Sequence, residues 1–327
     1  MEDDSWTVRR ILGWIEGYLQ DRGDANPRLS AQWLVSDALG MGRVDLFMNP
    51  ERPLSDEERA TLRDYTRRRG TGEPLQYITG TTDFRFITVQ VEPGVLIPRP
   101  ETEVLVSEAL TRVDAARTVK QARLEAAQRA MIKDLAVTSP DGDEAEAFGE
   151  GQEIPRLLAA DLCTGSGCIA CALATEIPHA RVIATDIDPK AVHLAQRNAR
   201  VLGVDDRVQV LECSLGQGID PDDIGTFDLI ISNPPYVPTK VLSTLDEEVT
   251  RYESALALDG GEDGLDIFRD ILPFAQRALA PHGVLAVELH ETCLDAAAEL
   301  AKQAGFAEVA IVSDLAGRPR VLTARKA

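Results

Sequence analysis

The sequence lacks the features that mark membrane-bound and secreted proteins. None of its apolar runs is long enough to cross a bilayer, and its first residues have neither the basic start nor the apolar stretch of a signal peptide. Cysteine is also scarce: the five among 327 residues are unevenly spaced and too few for a disulfide framework. We therefore expect a cytoplasmic protein with reduced thiols and no contact with a membrane.

Basic residues are few relative to acidic ones, and the formal net charge is -20. A field of that sign repels phosphate backbones, so we expect no nucleic-acid partner. The local cluster Arg67–Arg69 could still touch nucleic acid. Because cations are favoured near the carboxyl end of a helix, we interpret the cluster as a solvated helix end.

The first 72 residues carry the signals of short helices. Apolar residues recur at helical spacing between Val8 and Leu19. Ser30 is predicted to cap a second helix, and the run from Ser55 to Glu58 has the spacing of a capping box that opens another. We expect residues 1–72 to form a small helical substrate-recognition domain, because they contain no catalytic constellation.

The next segments differ in composition from the helical first 72 residues. Residues 73–100 mix β-prone residues with glycine and proline, which predicts a β-hairpin linker. A helix is predicted to begin near Glu101, with a helix-forming composition that continues to about Leu135. Residues 114–153 look inserted, and the part from Asp141 to Glu153 contains no basic residue, so we expect a mobile surface loop there.

The remaining chain alternates predicted strands and helices, and one helix is capped by Asp188 and closed by Gly203. That order predicts an α/β fold with a doubly wound, largely parallel sheet in a domain that spans residues 101–327. Seven strands are predicted, at Leu157–Leu162, Arg181–Thr185, Val208–Glu212, Phe227–Ser232, Val284–Leu289, Val309–Ser313 and Arg320–Ala324.

A glycine-rich turn follows the first of these strands, in the run Asp161–Cys168. Glycine lets a backbone approach a ligand closely at the start of a helix. Asp186 closes the second strand about twenty residues later, where a carboxylate can accept hydrogen bonds from both hydroxyls of a ribose. We predict a nucleoside site. Because Gly165, Gly167 and Ala170 also fit the looser dinucleotide fingerprint, a nicotinamide oxidoreductase stays open at this point.

Three cysteines in and after this turn, Cys163, Cys168 and Cys171, have a spacing that is known among iron-sulfur ligands. On a helix of small apolar residues, however, cysteine also packs well as a small hydrophobic side chain. The next candidate ligand, Cys213, is distant in the sequence. We therefore expect no metal site.

The run Asn233-Pro234-Pro235-Tyr236 follows the fourth strand, at the edge where open α/β sheets bind ligands. The prolines stiffen the turn and remove backbone donors, which leaves the Pro234 carbonyl to accept, together with the side-chain oxygen of Asn233. Two acceptors suit a planar NH2 group, because they favour the developing tetrahedral nitrogen and aim its lone pair at an electrophile. Tyr236 adds a flat face. The turn favours methyl transfer to nitrogen over hydride transfer.

This run resembles the signature of amino-group methyltransferases, both adenine-N6 DNA enzymes and glutamine-N5 protein enzymes. The blocks Gly72–Gly80, Val95–Glu103 and Ala257–Leu265 are similar to those of HemK/PrmC-type peptide-chain release factor glutamine methyltransferases. The resemblance covers nearly the whole chain. It implies a seven-stranded class I methyltransferase sheet, and a monomer that uses S-adenosyl-L-methionine. The implied substrate is N5 of the glutamine in the Gly-Gly-Gln motif of class I release factors.

The resemblance also implies roles for individual residues. Catalysis and the grip on the target glutamine fall to Asn233, Pro234, Pro235 and Tyr236, with Phe84 as a further substrate contact. The implied cofactor contacts are Asn233 and a set from three regions of the chain: Arg99, Glu101, Thr102, Asp161, Cys163, Thr164, Gly165, Ser166, Gly167, Asp186, Ile187, Ser214 and Leu215.

Three positions depart from the family's pattern. Cys163 stands in place of the usual glycine, Ser214 in place of a common aspartate, and His290 in place of the glycine that usually follows Glu288-Leu289. Two other functions stay open. The acidic charge and the absence of a recognisable basic recognition domain disfavour an adenine-N6 DNA methyltransferase. A non-catalytic nucleoside-binding module would bind the cofactor without methyl transfer.

Overall fold

The computed structural model describes residues 6–116, 157–244 and 247–327. The chain forms two compact units: the first comprises Met1–Asp83, Thr88–Ile97 and Ser243–Ala255, and the second comprises Phe84–Ile87, Pro98–Leu242 and Leu256–Ala327. No helix within the described ranges is long and apolar enough to span a membrane. The predicted helix beyond residue 116, the greater part of the 114–153 insertion and the loop from Asp141 to Glu153 lie outside the described residues.

The amino-terminal part of the first unit is helical, as predicted. Helix α1 is amphipathic and buries one face that includes Ile11 and Ile15. This face shares an apolar core with Leu34, Leu46 and Leu62. The helices are α1 (Val8–Asp21), α2 (Pro27–Leu39), α3 (Arg43–Met48), α4 (Asp56–Arg69) and α5 (Leu75–Thr79).

Two helix starts can be compared with the predicted caps. At α4 the Ser55 hydroxyl accepts from Glu58 N at 3.1 Å and the Glu58 carboxylate accepts from Ser55 N at 2.8 Å, which confirms the capping box. The predicted cap at Ser30 is wrong. Helix α2 begins at Pro27, and Ser30 is buried inside it, where its hydroxyl donates to Asp24 at 3.0 Å. Proline has the φ of a first helical residue, so the helix starts before the serine.

The basic cluster Arg67–Arg69 ends α4, but its last residue is not solvated as expected. Arg69 is 12% exposed and pairs with Asp24 at 2.6 Å and with Glu248 at 3.1 Å. Burial acts to raise the pKa of Asp24, but the hydrogen bonds and the positive charge of Arg69 hold this pKa below its usual value. The Arg69 guanidinium is therefore paired with two carboxylates of the first unit.

The segment predicted as a hairpin linker, residues 73–100, contains α5 as well as a hairpin. Strands β1 (Thr81–Phe84) and β2 (Ile87–Gln90) pair in a two-stranded sheet. Tyr77, Val91 and Ile97 form a small apolar cluster with Tyr252. A later piece of the chain, residues 243–255, therefore belongs to the same unit as residues 73–83 and 88–97 of this segment.

The second unit alternates helices and strands around one sheet. A helix, α6, covers residues 100–116 of the described chain. The other elements are β3 (Leu158–Leu162), α7 (Cys168–Glu176), β4 (Arg181–Asp186), α8 (Pro189–Val201), β5 (Val208–Glu212), β6 (Phe227–Ser232), α10 (Asp266–Ala278), β7 (Leu279–Glu288), α11 (Leu294–Gln303), β8 (Phe306–Ser313) and β9 (Pro319–Lys326), with α9 (Glu247–Tyr252) assigned to the first unit.

The seven strands lie in the order β5-β4-β3-β6-β7-β9-β8. Strands β3 to β7 pair in parallel, while β9 runs antiparallel to both β7 and β8. This confirms the predicted doubly wound, largely parallel sheet. From β3 the chain adds β4 and β5 on one side of the sheet and then β6 and β7 on the other. The direction in which strands are added therefore reverses between β3 and β6. Ligands of open α/β sheets bind outside the carboxyl ends of the strands at such a reversal.

Strands β3 to β6 lie within one residue of the predictions, but β7 is longer. It begins at Leu279 rather than Val284, and its pairing with β6 is irregular between Phe227 and Leu229. The intervening Pro-His-Gly sequence looks like a turn, and His282 takes a φ of 68°. The chain nevertheless stays in the sheet. Local turn signals are overruled here because Leu279 is fully buried in the core of the unit.

Helix α8 begins and ends as predicted. The Asp188 carboxylate accepts from Lys190 N at 2.9 Å, and Pro189 occupies the first turn. Gly203 follows the end of the helix with a φ of 66°. Both ends therefore follow from local sequence chemistry.

Candidate active site

The carboxyl ends of four neighbouring strands form one edge of the sheet in the second unit. The glycine turn follows β3, Asp186 ends β4, Ser214 and Leu215 follow β5, and Asn233–Tyr236 follows β6. Parallel strands end at a common edge. The fold thus brings the predicted nucleoside-binding groups and the NH2-binding turn together.

The glycine turn places three residues in the left-handed region. Cys163, Gly165 and Gly167 have φ angles of 58°, 56° and 78°. A Cβ atom on Gly167 would lie 2.8 Å from that of Ala195, so glycine permits the close approach of the turn to α8. Cys163 carries a side chain in a conformation that suits glycine. This explains physically why glycine is the usual residue at that position of the motif.

Asp186 links the glycine turn to the loop that follows β4. Its Oδ2 accepts from Gly165 N at 2.9 Å, and its Oδ1 accepts from Asp188 N at 2.9 Å. Burial raises the pKa of Asp186, while these backbone donors act to lower it. Each carboxylate oxygen can accept more than one hydrogen bond. The group is thus held in place and retains acceptor capacity for two ribose hydroxyls.

Asp161 lies fully buried beneath the same turn. Its Oδ2 accepts from the Thr164 hydroxyl at 2.5 Å and from Ala170 N at 3.1 Å, whereas its Oδ1 is buried without a hydrogen-bond partner. Burial raises the pKa of Asp161 to about 7. A buried acceptor without a donor is costly. The turn therefore contains acceptor capacity that a bound donor would satisfy.

The cysteines of the turn are poor candidates for metal ligands. Burial raises the pKa of Cys163 and Cys168 far above the usual value and that of Cys171 to about 12. Iron-sulfur ligation requires thiolates, which these surroundings disfavour. In the part of the chain that the structure describes, no group of three or more His, Cys, Asp or Glu side chains could hold a metal ion.

The residues that follow β4 and β5 form tight loops beside Asp186. Ile187 is 58% exposed, and Cys213 N donates to Asp186 O at 2.9 Å. Leu215 has a φ of 48° and packs against the core of the unit. Ser214 is half-buried next to it. The loop after β5 is therefore at the edge of the predicted nucleoside site.

The turn Asn233–Tyr236 is anchored at both sides. Before it, the Ser232 hydroxyl donates to Leu162 O at 2.7 Å, which ties the end of β6 to β3. Pro234 is buried and Asn233 is half-buried. Within the described residues, neither the Pro234 carbonyl nor the Asn233 side-chain oxygen accepts a hydrogen bond. The two predicted acceptors are thus available to a donor.

A chain of hydrogen bonds connects the two ends of this turn. The side-chain amide of Asn233 donates to the Thr102 hydroxyl at 3.1 Å, and that hydroxyl donates to Glu288 Oε2 at 2.8 Å. The Tyr236 hydroxyl donates to Glu288 Oε1 at 3.0 Å. Glu288 ends β7 and is 1% exposed. Burial raises the pKa of both Tyr236 and Glu288.

The block Ala257–Leu265 lies against the backbone of Tyr236. Gly260 N donates to Val237 O at 2.8 Å. A Cβ on Gly260 would lie 2.7 Å from Tyr236 Cα, and one on Gly264 would lie 2.4 Å from Tyr236 O. Glycine at these positions allows main chain to pack on main chain and holds the turn from its second side.

The remaining predicted site residues, outside the glycine turn and the Asn233–Tyr236 turn, differ in their contacts and burial. Thr102 contacts Asn233 directly. Glu101 lies 3.8 Å from the guanidinium of Arg318, measured from Oε1 to the nearer nitrogen, and Arg99 is half-buried. Phe84 is 1% exposed, so its side chain is enclosed by the protein itself. The proposed contacts of these residues with cofactor and substrate stay predictions.

Sequence reasoning did not identify Glu288 as a site residue. The available signal was an isolated acid at the end of an apolar strand, since a buried charge needs hydrogen-bond partners. Its partner Thr102 lies 186 positions earlier in the chain. Such a contact has no local pattern, and it emerges only when the sheet and α6 are assembled.

A sheet of this order, β5-β4-β3-β6-β7-β9-β8, places the chain among the class I methyltransferases. The predicted nucleoside site and the predicted NH2-binding turn lie at the edge where such sheets bind ligands. Two sequence families agree with this class. The family described as PrmC N-terminal domain matches residues 10–80, and the methyltransferase small domain matches residues 152–262.

Full-length relatives narrow the class to one family. The release factor glutamine methyltransferase of Geobacter sulfurreducens is 40% identical over 320 residues, which are 98% of this chain and 97% of that protein. That of Rhodopirellula baltica is 33% identical over 99% of this chain and 98% of its own. The chain belongs to the release factor glutamine methyltransferase family. Among solved structures, ribosomal protein L11 methylase from Lactobacillus delbrueckii is similar over 54% of this chain and 73% of its own, at 22% identity and a TM-score of 0.38.

Proposed function

We propose that the protein transfers a methyl group from S-adenosyl-L-methionine to the side-chain amide nitrogen, N5, of the glutamine in the Gly-Gly-Gln motif of class I peptide-chain release factors. The observation that carries this proposal is the tethered carboxamide of Asn233. Its NH2 end is bound by Thr102, so its oxygen is the end that remains for a donor. Membership of the family supports a release factor glutamine, whose side-chain NH2 group would donate this hydrogen bond, as the methyl acceptor.

The residues at the sheet edge fit S-adenosyl-L-methionine. The glycine turn from Cys163 to Gly167 brings backbone close to a ligand, and Asp186 has acceptor capacity for ribose hydroxyls. The unsatisfied oxygen of Asp161 can accept from a donor that enters the turn. The cofactor supplies an electrophilic methyl group on a sulfonium centre. Ile187, Ser214 and Leu215 complete the proposed surroundings of its nucleoside.

The proposed reaction depends on how the turn holds the target amide. Asn233 Oδ1 and Pro234 O each accept one hydrogen of the glutamine NH2 group. An amide nitrogen is a poor nucleophile because its lone pair is delocalised into the carbonyl. As the nitrogen forms its bond to the methyl carbon, the carbon–sulfur bond of the cofactor would break and leave a neutral thioether. The nitrogen becomes tetrahedral and positive until it releases one proton to water, and the two acceptors stabilise that charge more than they stabilise the ground state. The ring of Tyr236, held through its hydroxyl, offers a flat wall to the planar amide.

The protein substrate is expected to need more than the active-site turn. The first unit, which contains none of the proposed cofactor contacts, is proposed to help present the release factor to the site. We further propose that the enzyme works as a monomer in the cytoplasm, where release factors act, without a nucleic-acid or membrane partner. The net charge of -20 supports the exclusion of nucleic acid.

A transfer assay with tritiated methyl donor tests this function. Purified class I release factor, the same factor with the Gly-Gly-Gln glutamine changed to asparagine, and duplex DNA are offered in parallel. We expect label in the unaltered release factor alone, because asparagine brings its amide one methylene short of the site. Label in DNA would support an adenine methyltransferase. Cofactor binding without label in any acceptor would support the non-catalytic module.

Calorimetry tests the proposed cofactor separately. We expect binding of S-adenosyl-L-methionine and none of a nicotinamide dinucleotide. Replacing Asp186 with alanine should weaken cofactor binding by about 1 to 3 kcal/mol, the usual cost of losing a charged acceptor. Tight binding of the dinucleotide alone would overturn the assignment.

A further inference from the structure

A single buried carboxylate, that of Glu288, is hydrogen-bonded to both ends of the Asn233–Tyr236 turn. One oxygen accepts from Tyr236 itself, and the other accepts from Thr102, which in turn accepts from Asn233. The four side chains come from α6, from the loop after β6 and from the end of β7. All of them belong to the second unit.

The chemistry of these groups determines which way the Asn233 carboxamide points. An ionised carboxylate only accepts hydrogen bonds, and a threonine hydroxyl has one hydrogen to donate. That hydrogen goes to Glu288, so the oxygen of Thr102 can offer Asn233 only an acceptor. The NH2 end of Asn233 must therefore face Thr102. Oδ1 then lies at the opposite end of the carboxamide.

The surroundings of Glu288 support this direction of hydrogen bonding. Burial, to which the negative charge of Glu101 adds, raises the pKa of Glu288, while donation from Thr102 and Tyr236 and the positive charge of Arg320 act against this rise. In the ionised form, each carboxylate oxygen accepts from one of these two hydroxyls. A buried carboxylate that accepts at both oxygens is satisfied only while both donors stay in place.

We propose that Glu288, acting through Thr102, is the positioning residue that orients the Asn233 carboxamide with its oxygen toward the methyl-accepting amide. The inference rests on the proposed function. In the reversed orientation, the NH2 group of Asn233 would face the NH2 group of the glutamine, and two donors would meet without an acceptor. The carboxamide has nearly the same shape in both orientations, so packing alone does not select the productive one. Hydrogen bonding through Thr102 does.

Substitutions at Thr102 test this relay. Thr102→Val keeps the volume and removes the hydroxyl, whereas Thr102→Ser keeps the hydroxyl. We expect Thr102→Val to lower the single-turnover rate at saturating substrates by roughly tenfold or more, because the loss falls on the transition state. Because Thr102 is also a predicted cofactor contact, cofactor affinity is measured separately, and Thr102→Ser should recover most of the rate that Thr102→Val loses. Thr111→Val is the matched control, since Thr111 also lies on α6 but its exposed hydroxyl donates only to Ser107 O.

A double-mutant cycle separates positioning from a structural role. If Thr102 acts through Asn233, Thr102→Val should have no further effect on the rate in an Asn233→Ala background. Glu288→Gln, which places a donor where the carboxylate only accepts, should likewise lower the rate in the wild type and have little effect in that background. Additive losses would overturn the proposal, as would a Thr102→Val rate equal to that of Thr111→Val or a Thr102→Val effect confined to cofactor affinity.

A measurement without a methyl acceptor keeps this inference distinct from the proposed function. The side-chain NH2 resonances of Asn233 can be assigned by their absence in Asn233→Ala. In Thr102→Val and Glu288→Gln we expect these resonances to shift and their hydrogens to exchange faster with water, whereas Thr102→Ser and Thr111→Val should leave them unchanged. Resonances that do not respond to Thr102→Val would overturn the relay. Failure of the wild type to methylate release factor would instead contradict the proposed function alone.

Discussion

Asn233 is the single side chain on which the proposed reaction depends most. Replacing it with alanine should lower the methyl-transfer rate far more than it weakens cofactor binding, because the lost acceptor acts mainly in the transition state. By analogy with the removal of one oxyanion-hole donor, we expect a loss of roughly 2.7 to 4 kcal/mol, or about a hundred- to a thousand-fold. Single-turnover rates at saturating cofactor and release factor measure this.

Asn233→Asp is a useful companion variant. It keeps an acceptor but loses the NH2 group that donates to Thr102, and it adds a charge near Glu288. We expect it to be impaired as well. If Asn233→Ala turned over within a factor of a few of the wild type, the turn would be structural and the grip on the glutamine would lie elsewhere.

Asp161 should make the stability of the unliganded protein depend on pH. Burial raises its pKa from an ordinary 3.8 to about 7, so between these values the folded state binds more protons than the unfolded state. The free energy of unfolding therefore falls as the pH rises through this window. Asp161→Asn keeps an acceptor for Thr164 and Ala170 but does not titrate. From pH 5 to pH 8, the stability of the variant should improve relative to the wild type by roughly 2 to 3 kcal/mol.

Urea unfolding of both proteins at the two pH values measures this difference. Other titrating groups are common to the two proteins, so their contributions cancel. Parallel pH dependence in wild type and variant would show that Asp161 has an ordinary pKa in the folded state.

At the scale of elements, the loop Ala257–Leu265 holds the active-site turn by direct contact of backbones. Gly264 has a φ of 80°, and a Cβ there would lie 2.4 Å from Tyr236 O. Gly264→Ala should therefore displace the Tyr236 backbone and lower the transfer rate by roughly tenfold or more, the scale at which a misplacement of about 1 Å reduces catalysis. Single-turnover kinetics and thermal unfolding of the variant check this.

Gly203→Ala is the matched control for backbone strain. Gly203 also has a positive φ, 66°, but a Cβ there would have no atom within 4 Å. Both variants should lose stability, because an L-residue is strained in this conformation. In addition to this loss of stability, only Gly264→Ala should have a lower methyl-transfer rate. Equal activity of the two variants would mean that the loop does not position the turn.

At the scale of the whole molecule, every proposed site residue lies in the second unit. Removing residues 1–72 should therefore leave the affinity for S-adenosyl-L-methionine unchanged. Methylation of intact release factor should fall by roughly tenfold or more, which corresponds to about 1.4 kcal/mol of lost docking energy. Calorimetry and the transfer assay measure the two quantities, and thermal unfolding is recorded in parallel because Glu248 loses its partner Arg69.

A short Gly-Gly-Gln peptide provides the control substrate for this truncation. The peptide carries little of the release factor surface, so its methylation should be affected much less than that of the intact protein. Full activity of the truncated enzyme on intact release factor would show that the first unit does not present the substrate.

The sequence by itself determined the architecture of the second unit and the position of its candidate site. Strands β3 to β6, the capping of α8 by Asp188 and the Ser55–Glu58 capping box follow from local periodicity and local hydrogen bonds, which neighbouring residues specify. The doubly wound, largely parallel character of the sheet then followed from the alternation of strands and helices, whereas the strand order is known only from the structure. Because parallel strands end at one edge, the sequence alone predicted that motifs far apart in the chain lie close together.

Only the tertiary structure decided which side chains serve those motifs. Thr102 and Glu288 are 186 residues apart, and no local pattern links them. Residues 243–255 join the first unit, and Arg69 is buried in ion pairs rather than solvated. The physical reason is the same for these three findings. Each depends on contacts between residues far apart in the sequence, and a hydrogen bond or ion pair forms only at a distance of about 3 Å. The packing of whole elements sets that distance, and the sequence on either side of a residue does not.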